Sequence, residues 1–214
     1  MKEATFKVIG INRHRMKTDG SGITTLVGLA CCTLSCKYCI NKEILQANKV
    51  KELTAKQLLN IISIDYSYFI ATNGGITFGG GEPLLQYKAI QELIQTIKKE
   101  LNYKLNINIE TSLNIQTAYL KHLLADINEL IIDIKDINSV IYNEYTAKNN
   151  SLVLKNLKYI SKQNMQSKCL VRIPLIPNYN TEQNIKNSIE FIKNLGYKNI
   201  DIFKYKIKQG EVII

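Results

Sequence analysis

The chain has 214 residues, 45% of them hydrophobic, and a formal charge of +10 from 28 Lys and Arg against 18 Asp and Glu. That length suits one well-buried domain over residues 1–214 and is short for two. No apolar run reaches the roughly 18 to 20 residues of a membrane span, and the opening MKEATFKVIG lacks the basic-then-apolar layout of a secretory signal. The expectation is a cytoplasmic protein with no membrane partner. The positive charge could serve nucleic acid, an acidic protein or an anionic ligand. No RGG or RNP-like aromatic pattern accompanies it, and a chain so rich in Lys, Asn and Ile would be basic from codon bias alone, so nucleic acid is disfavoured.

In chain order, a β-rich opening from Ala4 to Asn12 leads through the loop Asp19-Gly-Ser-Gly22 into a buried strand from Ile23 to Leu29. A helix starts at Thr54, where Thr54 and Gln57 have capping-box spacing. Alternation follows: strand Gly75–Phe78, helix Leu85–Leu101, strand Leu105–Glu110, helix Gln116–Ile127, strand Leu130–Ile134 and a helical region from Asn138 to Gln163. Strand Lys168–Leu175, helix Thr181–Leu195 ended by Gly196, and strand Ile200–Phe203 complete it. Six strands alternating with helices predict parallel βα units, too few for a closed eight-fold barrel. The expected fold class is α/β, a partial (β/α)6 barrel with parallel strands.

Four of the five cysteines crowd into one short stretch, Cys31, Cys32, Cys36 and Cys39, with Cys169 far away. In a cytosolic-type chain, crowded cysteines point to metal rather than disulfides. Cys32-x3-Cys36-x2-Cys39, in the loop 31–40, offers three thiolates where a closed zinc or iron–sulfur site takes four protein ligands. Three ligands leave one metal position open, with iron–sulfur favoured over zinc. Cys31, next to a ligand, and Cys169, alternating within a strand, read as packing residues. His14 and His122 match no ligand or triad spacing.

The other notable residues fall at the C-terminal ends of the predicted strands: Gly79-Gly80-Gly81-Glu82-Pro83, then Glu110-Thr111-Ser112, Asp133 and Lys135, with Arg172 inside an apolar strand. In parallel α/β folds these ends share one mouth, where ligands bind. The glycines would allow close backbone approach to a ligand. Glu110 and Asp133 could be solvated or could hold a cation. Arg172 needs a partner, either a ligand carboxylate or a structural acid.

These pieces together resemble the radical S-adenosylmethionine superfamily, and within it the glycyl-radical-enzyme activating enzymes, such as the pyruvate formate-lyase activases. The matching stretches run in family order: Asp19-Gly-Ser-Gly-Ile-Thr-Thr-Leu-Val, the three-cysteine motif, Gly74 to Gln86, Glu110-Thr-Ser, Asp133-Ile-Lys135, Glu144-Tyr-Thr and Val171 to Pro177. The resemblance implies a [4Fe–4S] cluster on Cys32, Cys36 and Cys39, with S-adenosylmethionine on the fourth iron. It places Tyr38 against the adenine, Gly79, Gly80, Gly81 and Glu82 at the methionine amino group, and Ser112, Lys135 and Arg172 at ribose and carboxylate. Glu110 and Asp133 become candidates for a monovalent cation. The implied reaction is reductive cleavage to a 5′-deoxyadenosyl radical that removes hydrogen from a glycine of a partner glycyl radical enzyme. An acidic flavodoxin or ferredoxin as electron donor would suit the +10 charge.

The chain departs from the family pattern at Ser21 and Thr24, where Pro and Arg are usual, at Cys31 for Gly and at Ile40 for His. It also has no clear Leu-Pro-Tyr-His counterpart around Asp201 to Lys206. Two other readings therefore stand beside the first: a radical enzyme acting on a peptide or small molecule, and a binding protein whose cysteines hold metal without turnover.

Overall fold

The structure, a computed structural model, describes residues 4–16, 18–47, 49–101 and 105–205. Its first strand, β1 (Thr5–Met16), runs beyond the expected Asn12 and lies antiparallel to β2 (Ile23–Leu29). The cysteine loop and a short helix α1 (Lys42–Gln46) lead to β3 (Lys51–Thr54), which pairs antiparallel with the other side of β1. Helices α2 (Ala55–Ile62) and α3 (Tyr66–Thr72) follow, then β4 (Gly75–Gly80), α4 (Tyr87–Glu100), β5 (Asn106–Thr111), α5 (Thr117–Lys121) and β6 (Glu129–Asp133). Helices α6 (Ser139–Thr146) and α7 (Ser151–Lys162), β7 (Cys169–Leu175), α8 (Glu182–Asn194) and β8 (Ile200–Lys204) complete the described elements.

The eight strands form one sheet in the order β3-β1-β2-β4-β5-β6-β7-β8. From β2 to β8 all pairings are parallel, giving the six expected βα units in an open barrel. The antiparallel extension by β1 and β3 was not expected as such. β3 is only four residues, Lys51-Glu-Leu-Thr54, with a single buried side chain, so its strand character comes from pairing with β1 and not from local pattern.

Helix boundaries shift where local capping competes with periodicity. The capping box of Thr54 and Gln57 is formed as expected, and Thr181 with Asn184 builds a second at the start of α8. The region expected as one helix from Asn138 to Gln163 is two, because Ala147 adopts φ 57° and ends α6 in a left-handed turn. The helix expected over Gln116–Ile127 keeps only its first five residues, after which the chain turns to start β6.

Register explains which face is filled. Phe78, Ile109, Leu130 and Cys169 are cross-strand partners and pack with Ile76, Ile107, Ile132 and Val171 against Leu58, Ile90, Leu93, Leu157 and Ile192 of the helices. The alternate positions turn to the concave face, and there many cross-strand partners are polar: Thr77, Asn108 and Glu129 low in the sheet, Asp133, Arg172 and Asp201 near the top, with Leu26, Ile131 and Leu170 between them. One face of the sheet is core; the other is a polar trough.

At the N-terminal end, Asp65 is enclosed between β1 and β2. Arg13 Nε donates to both of its oxygens at 2.9 Å, Thr25 Oγ1 donates at 2.7 Å, and His14 Nε2 lies 3.0 Å away. Burial alone would raise the Asp65 carboxyl, but these bonds and the Arg13 and His14 charges outweigh it and hold it below the usual carboxylate range. A group with a depressed native pKa contributes stability above its unfolded pKa and loses it as pH falls. Asp65→Asn should therefore destabilise at neutral pH, and its deficit against wild type should shrink in urea melts taken progressively below about pH 4. Ile109→Ala should cost about 2–5 kcal/mol in the same melts, whereas exposed Ile70→Ala should stay within about 0.5 kcal/mol.

Candidate active site

The cysteine loop leaves β2 and lies across the C-terminal mouth of the sheet, fastened at several points. Gly81 N–H donates to Leu29 O at 2.8 Å and Glu82 N–H to Cys31 O at 2.7 Å. Ser35 N–H and Lys37 N–H donate to the Thr146 and Tyr145 carbonyls at the end of α6, each at 3.0 Å. Asn41 Nδ2 donates to Gly80 O at 2.9 Å. A Cβ on Gly81 would fall 2.0 Å from the Cys31 carbonyl oxygen, and Gly80 has φ +95°. The glycine run is thus required by the approach of the cysteine loop's own backbone.

Beneath the loop is a cavity of about 460 Å3 lined by Cys32, Cys36, Cys39, Gly80, Gly81, Glu110, Ser112, Asp133, Lys135 and Arg172. Ten of the thirteen residues singled out in the sequence therefore meet in one place. Three are set apart. Gly79 lies deeper, its missing Cβ leaving room for Glu110 Oε2 and Leu26 at 3.0 Å. Glu82 is fully buried, accepting from Thr111 Oγ1 at 2.7 Å, Ser112 Oγ at 2.8 Å, Ser112 N–H at 3.0 Å and Leu84 N–H at 3.3 Å. Burial pushes its carboxyl up against the pull of those four bonds. Tyr38 packs in a tyrosine cluster with Tyr145, Tyr179 and Tyr205, at ring distances of 6.0, 5.7 and 6.3 Å.

The charges on the cavity wall are arranged in pairs. Arg172 Nη1 donates to Glu110 Oε1 at 3.0 Å, and its Nε is 3.6 Å from Asp201. Lys135 Nζ donates to Asp133 Oδ2 at 2.5 Å. Burial alone would depress Lys135, but Asp133 and the Cys36 sulfur outweigh it and hold it protonated. Glu110 is raised by burial and by Asp133, against the opposing Arg172 charge. Each acid has a base beside it, Arg172 for Glu110 and Lys135 for Asp133. Burial pushes the Cys36 thiol up to about 12 and raises Cys32 as well.

The residues fit a thiolate-bound cluster with a polar ligand beside it. Cys32, Cys36 and Cys39 line one cavity, with the polar side chains of Ser112, Asp133, Lys135 and Arg172 on the same wall. Asp133 Oδ1 is buried with no hydrogen-bond partner, an acceptor without a donor on the cavity wall.

Thr111 and Ile40, both noted in the sequence, also line the cavity, together with Leu34, Asn41, Phe203, Lys204 and Tyr205, which carry no local signal. Phe203 stacks under the Arg172 guanidinium at 4.9 Å. Lys206, the residue that could stand in for the missing Leu-Pro-Tyr-His segment, lies outside the described residues. Cys169 is buried in the core as its strand position suggests, whereas Cys31, read from the sequence as a packing residue, is exposed on the cysteine loop.

Such a mouth, with three thiols over paired charges on an open parallel barrel, defines a cluster-bearing α/β protein of the radical S-adenosylmethionine superfamily, resembling the glycyl-radical-enzyme activating enzymes. The chain belongs to the family described as the 4Fe-4S single cluster domain, whose model matches residues 18–166. It is 29% identical over 177 residues to the 4-hydroxyphenylacetate decarboxylase activating enzyme of Clostridium scatologenes, covering 82% of this chain and 55% of that one. It is 27% identical over 205 residues to the pyruvate formate-lyase-activating enzyme of Staphylococcus epidermidis, covering 88% and 80%. Streptococcus suis SuiB bound to S-adenosylmethionine shares the fold, with a TM-score of 0.61 at 16% identity over 86% of this chain and 39% of that one. The chain spans about half the length of the 4-hydroxyphenylacetate decarboxylase activating enzymes it matches. Among the described residues no helix is long and apolar enough to cross a membrane.

Gly81→Ala should push the Cys31 carbonyl aside and loosen the loop. After anaerobic reconstitution, iron and sulfide content should fall well below wild type while the far-UV circular dichroism is kept.

Proposed function

We propose that this protein reductively cleaves S-adenosylmethionine and passes the resulting radical to a glycine of a partner glycyl radical enzyme. The observation that carries the reading is the meeting of Cys32, Cys36 and Cys39 with Gly80, Gly81, Ser112, Asp133, Lys135 and Arg172 around one cavity. The activating-enzyme relatives support the choice of partner.

When bound, a three-thiolate [4Fe–4S] cluster supplies a low-potential electron and an open iron at which the sulfonium can be split into methionine and a 5′-deoxyadenosyl radical. The chain's own residues do the rest. Cys32, Cys36 and Cys39 hold the cluster. Gly80 and Gly81 let the cysteine loop close against the turn after β4, and both line the cavity where a ligand amino group would lie. Ser112 Oγ, Lys135 Nζ and Arg172 stand where ribose hydroxyls and a carboxylate need donors, and the unpaired Asp133 Oδ1 can accept from a hydroxyl. Glu82 acts by fixing Ser112, whereas Tyr38 braces the loop from behind. Glu110 holds Arg172 in place. Enclosure by Phe203 and Tyr205 on one side excludes water from a reactive site. We place the protein in the cytoplasm, with an acidic flavodoxin or ferredoxin as electron donor suited to the +10 charge.

The experiment is anaerobic incubation of reconstituted protein with dithionite and S-adenosylmethionine. 5′-Deoxyadenosine should form, and Cys36→Ala should abolish it; no product from cluster-loaded wild type would sink the reading and leave a non-catalytic cluster protein. A second reading keeps the radical but takes the hydrogen from a peptide or small molecule, and Thr24 in place of the usual Arg favours it. A glycine-centred EPR doublet on a partner encoded beside this gene decides for the first.

A further inference from the structure

The barrel is open, and β8 is its last strand, with no neighbour on its outer side among the described residues. The cysteine loop is fastened to the β4 turn through Glu82 and Asn41, and to α6 through the two carbonyl contacts. Two side-chain bonds join it to the β7–β8 side: Asn178 Nδ2, just after β7, donates to Tyr38 Oη at 3.3 Å, and Tyr205 Oη donates to the Tyr38 carbonyl at 2.6 Å. That carbonyl lies between Cys36 and Cys39 in sequence, so the bond acts at the centre of the ligand loop.

Tyr205 is well placed to hold this position. Its N–H donates to Leu175 O at 2.9 Å, continuing the β7–β8 ladder by one residue, and so its backbone is fixed by the sheet. Its ring packs 6.3 Å from both Tyr38 and Tyr145, with Lys135 Nζ 6.0 Å above it. The same side chain lines the cavity with all three cysteines.

We propose that Tyr205 is a positioning residue, a latch that spans the mouth from the free edge of the barrel and sets how far Cys36 and Cys39 stand from the Lys135 and Arg172 wall. This rests on the reading of the cysteines as cluster ligands, but the latch exists without the cluster and can be tested without it. Tyr205→Phe keeps the ring, its tyrosine neighbours and its place over Lys135, and removes only the hydroxyl, which donates to the Tyr38 carbonyl and also faces the buried Tyr145 hydroxyl.

The experiment is residue-resolved alkylation of the apo protein with N-ethylmaleimide under reducing, anaerobic conditions, followed by mass spectrometry. Exposed Cys31 reports reagent activity and buried Cys169 reports global opening. Tyr205→Phe should raise labelling of Cys36 and Cys39 about two- to tenfold, the range one net hydrogen bond sets for a local opening, with Cys31 and Cys169 unchanged. Unchanged rates at Cys36 and Cys39 would overturn the latch, as would a rise shared by Cys169. In reconstituted protein, the same variant should lose iron to a chelator faster than wild type, and equal loss would also count against it. Failure of S-adenosylmethionine cleavage would leave the alkylation result intact, so the two proposals can fail separately.

Discussion

The Glu82 carboxylate sits at the junction on which the top of this molecule depends. Its oxygens take four hydrogen bonds from Leu84, Thr111 and Ser112, tying the turn after β4 to the end of β5. Its backbone N–H holds the Cys31 carbonyl, tying that turn to the cysteine loop. A carboxyl buried this deeply is costly unless its lone pairs are satisfied, and here they are. The geometry of the cavity follows, because Ser112, Gly81 and Cys32 are each one short link from the same residue.

The trough beneath is the second constraint. A parallel sheet is usually covered by helices on both faces, or closed so that its inner face is filled with apolar side chains. Here the helices cover one face, and the inner face is lined with Thr77, Asn108, Glu110, Asp133 and Arg172. Burial keeps these charges paired with one another, Glu110 with Arg172 and Asp133 with Lys135. A polar ligand enters a wall already organised by ion pairs, where Asp133 Oδ1 and the guanidinium N–H groups remain to be engaged.

Several residues change meaning between sequence and structure. Glu82 follows the glycine run and reads as part of a ligand cradle, yet it is wholly enclosed and organises its neighbours. Tyr38, between two ligand cysteines, faces a cluster of tyrosines drawn from α6, the segment after β7 and the end of β8. Gly81 is needed because a carbonyl of the cysteine loop lies where its Cβ would be. In each case the deciding contact comes from a segment distant along the chain, which no local spacing encodes.

What the sequence determined by itself was the set of parallel strands, their order of appearance and the loop that carries three thiols. Short β-branched and apolar runs, glycine stops, cap spacing and cysteine spacing are local properties, so strand β2 and the capping box at Thr54 lie where the pattern places them. The convergence of Ser112, Asp133, Lys135 and Arg172 was legible too, because parallel strands end at a common mouth. Only the tertiary structure decided the antiparallel arm of β1 and β3, the break at Ala147, the pairing of each acid with its base and the bond from Tyr205 to the cysteine loop. Those depend on which distant backbone and side-chain atoms meet once the apolar face is buried, and burial, not sequence proximity, chooses the partners.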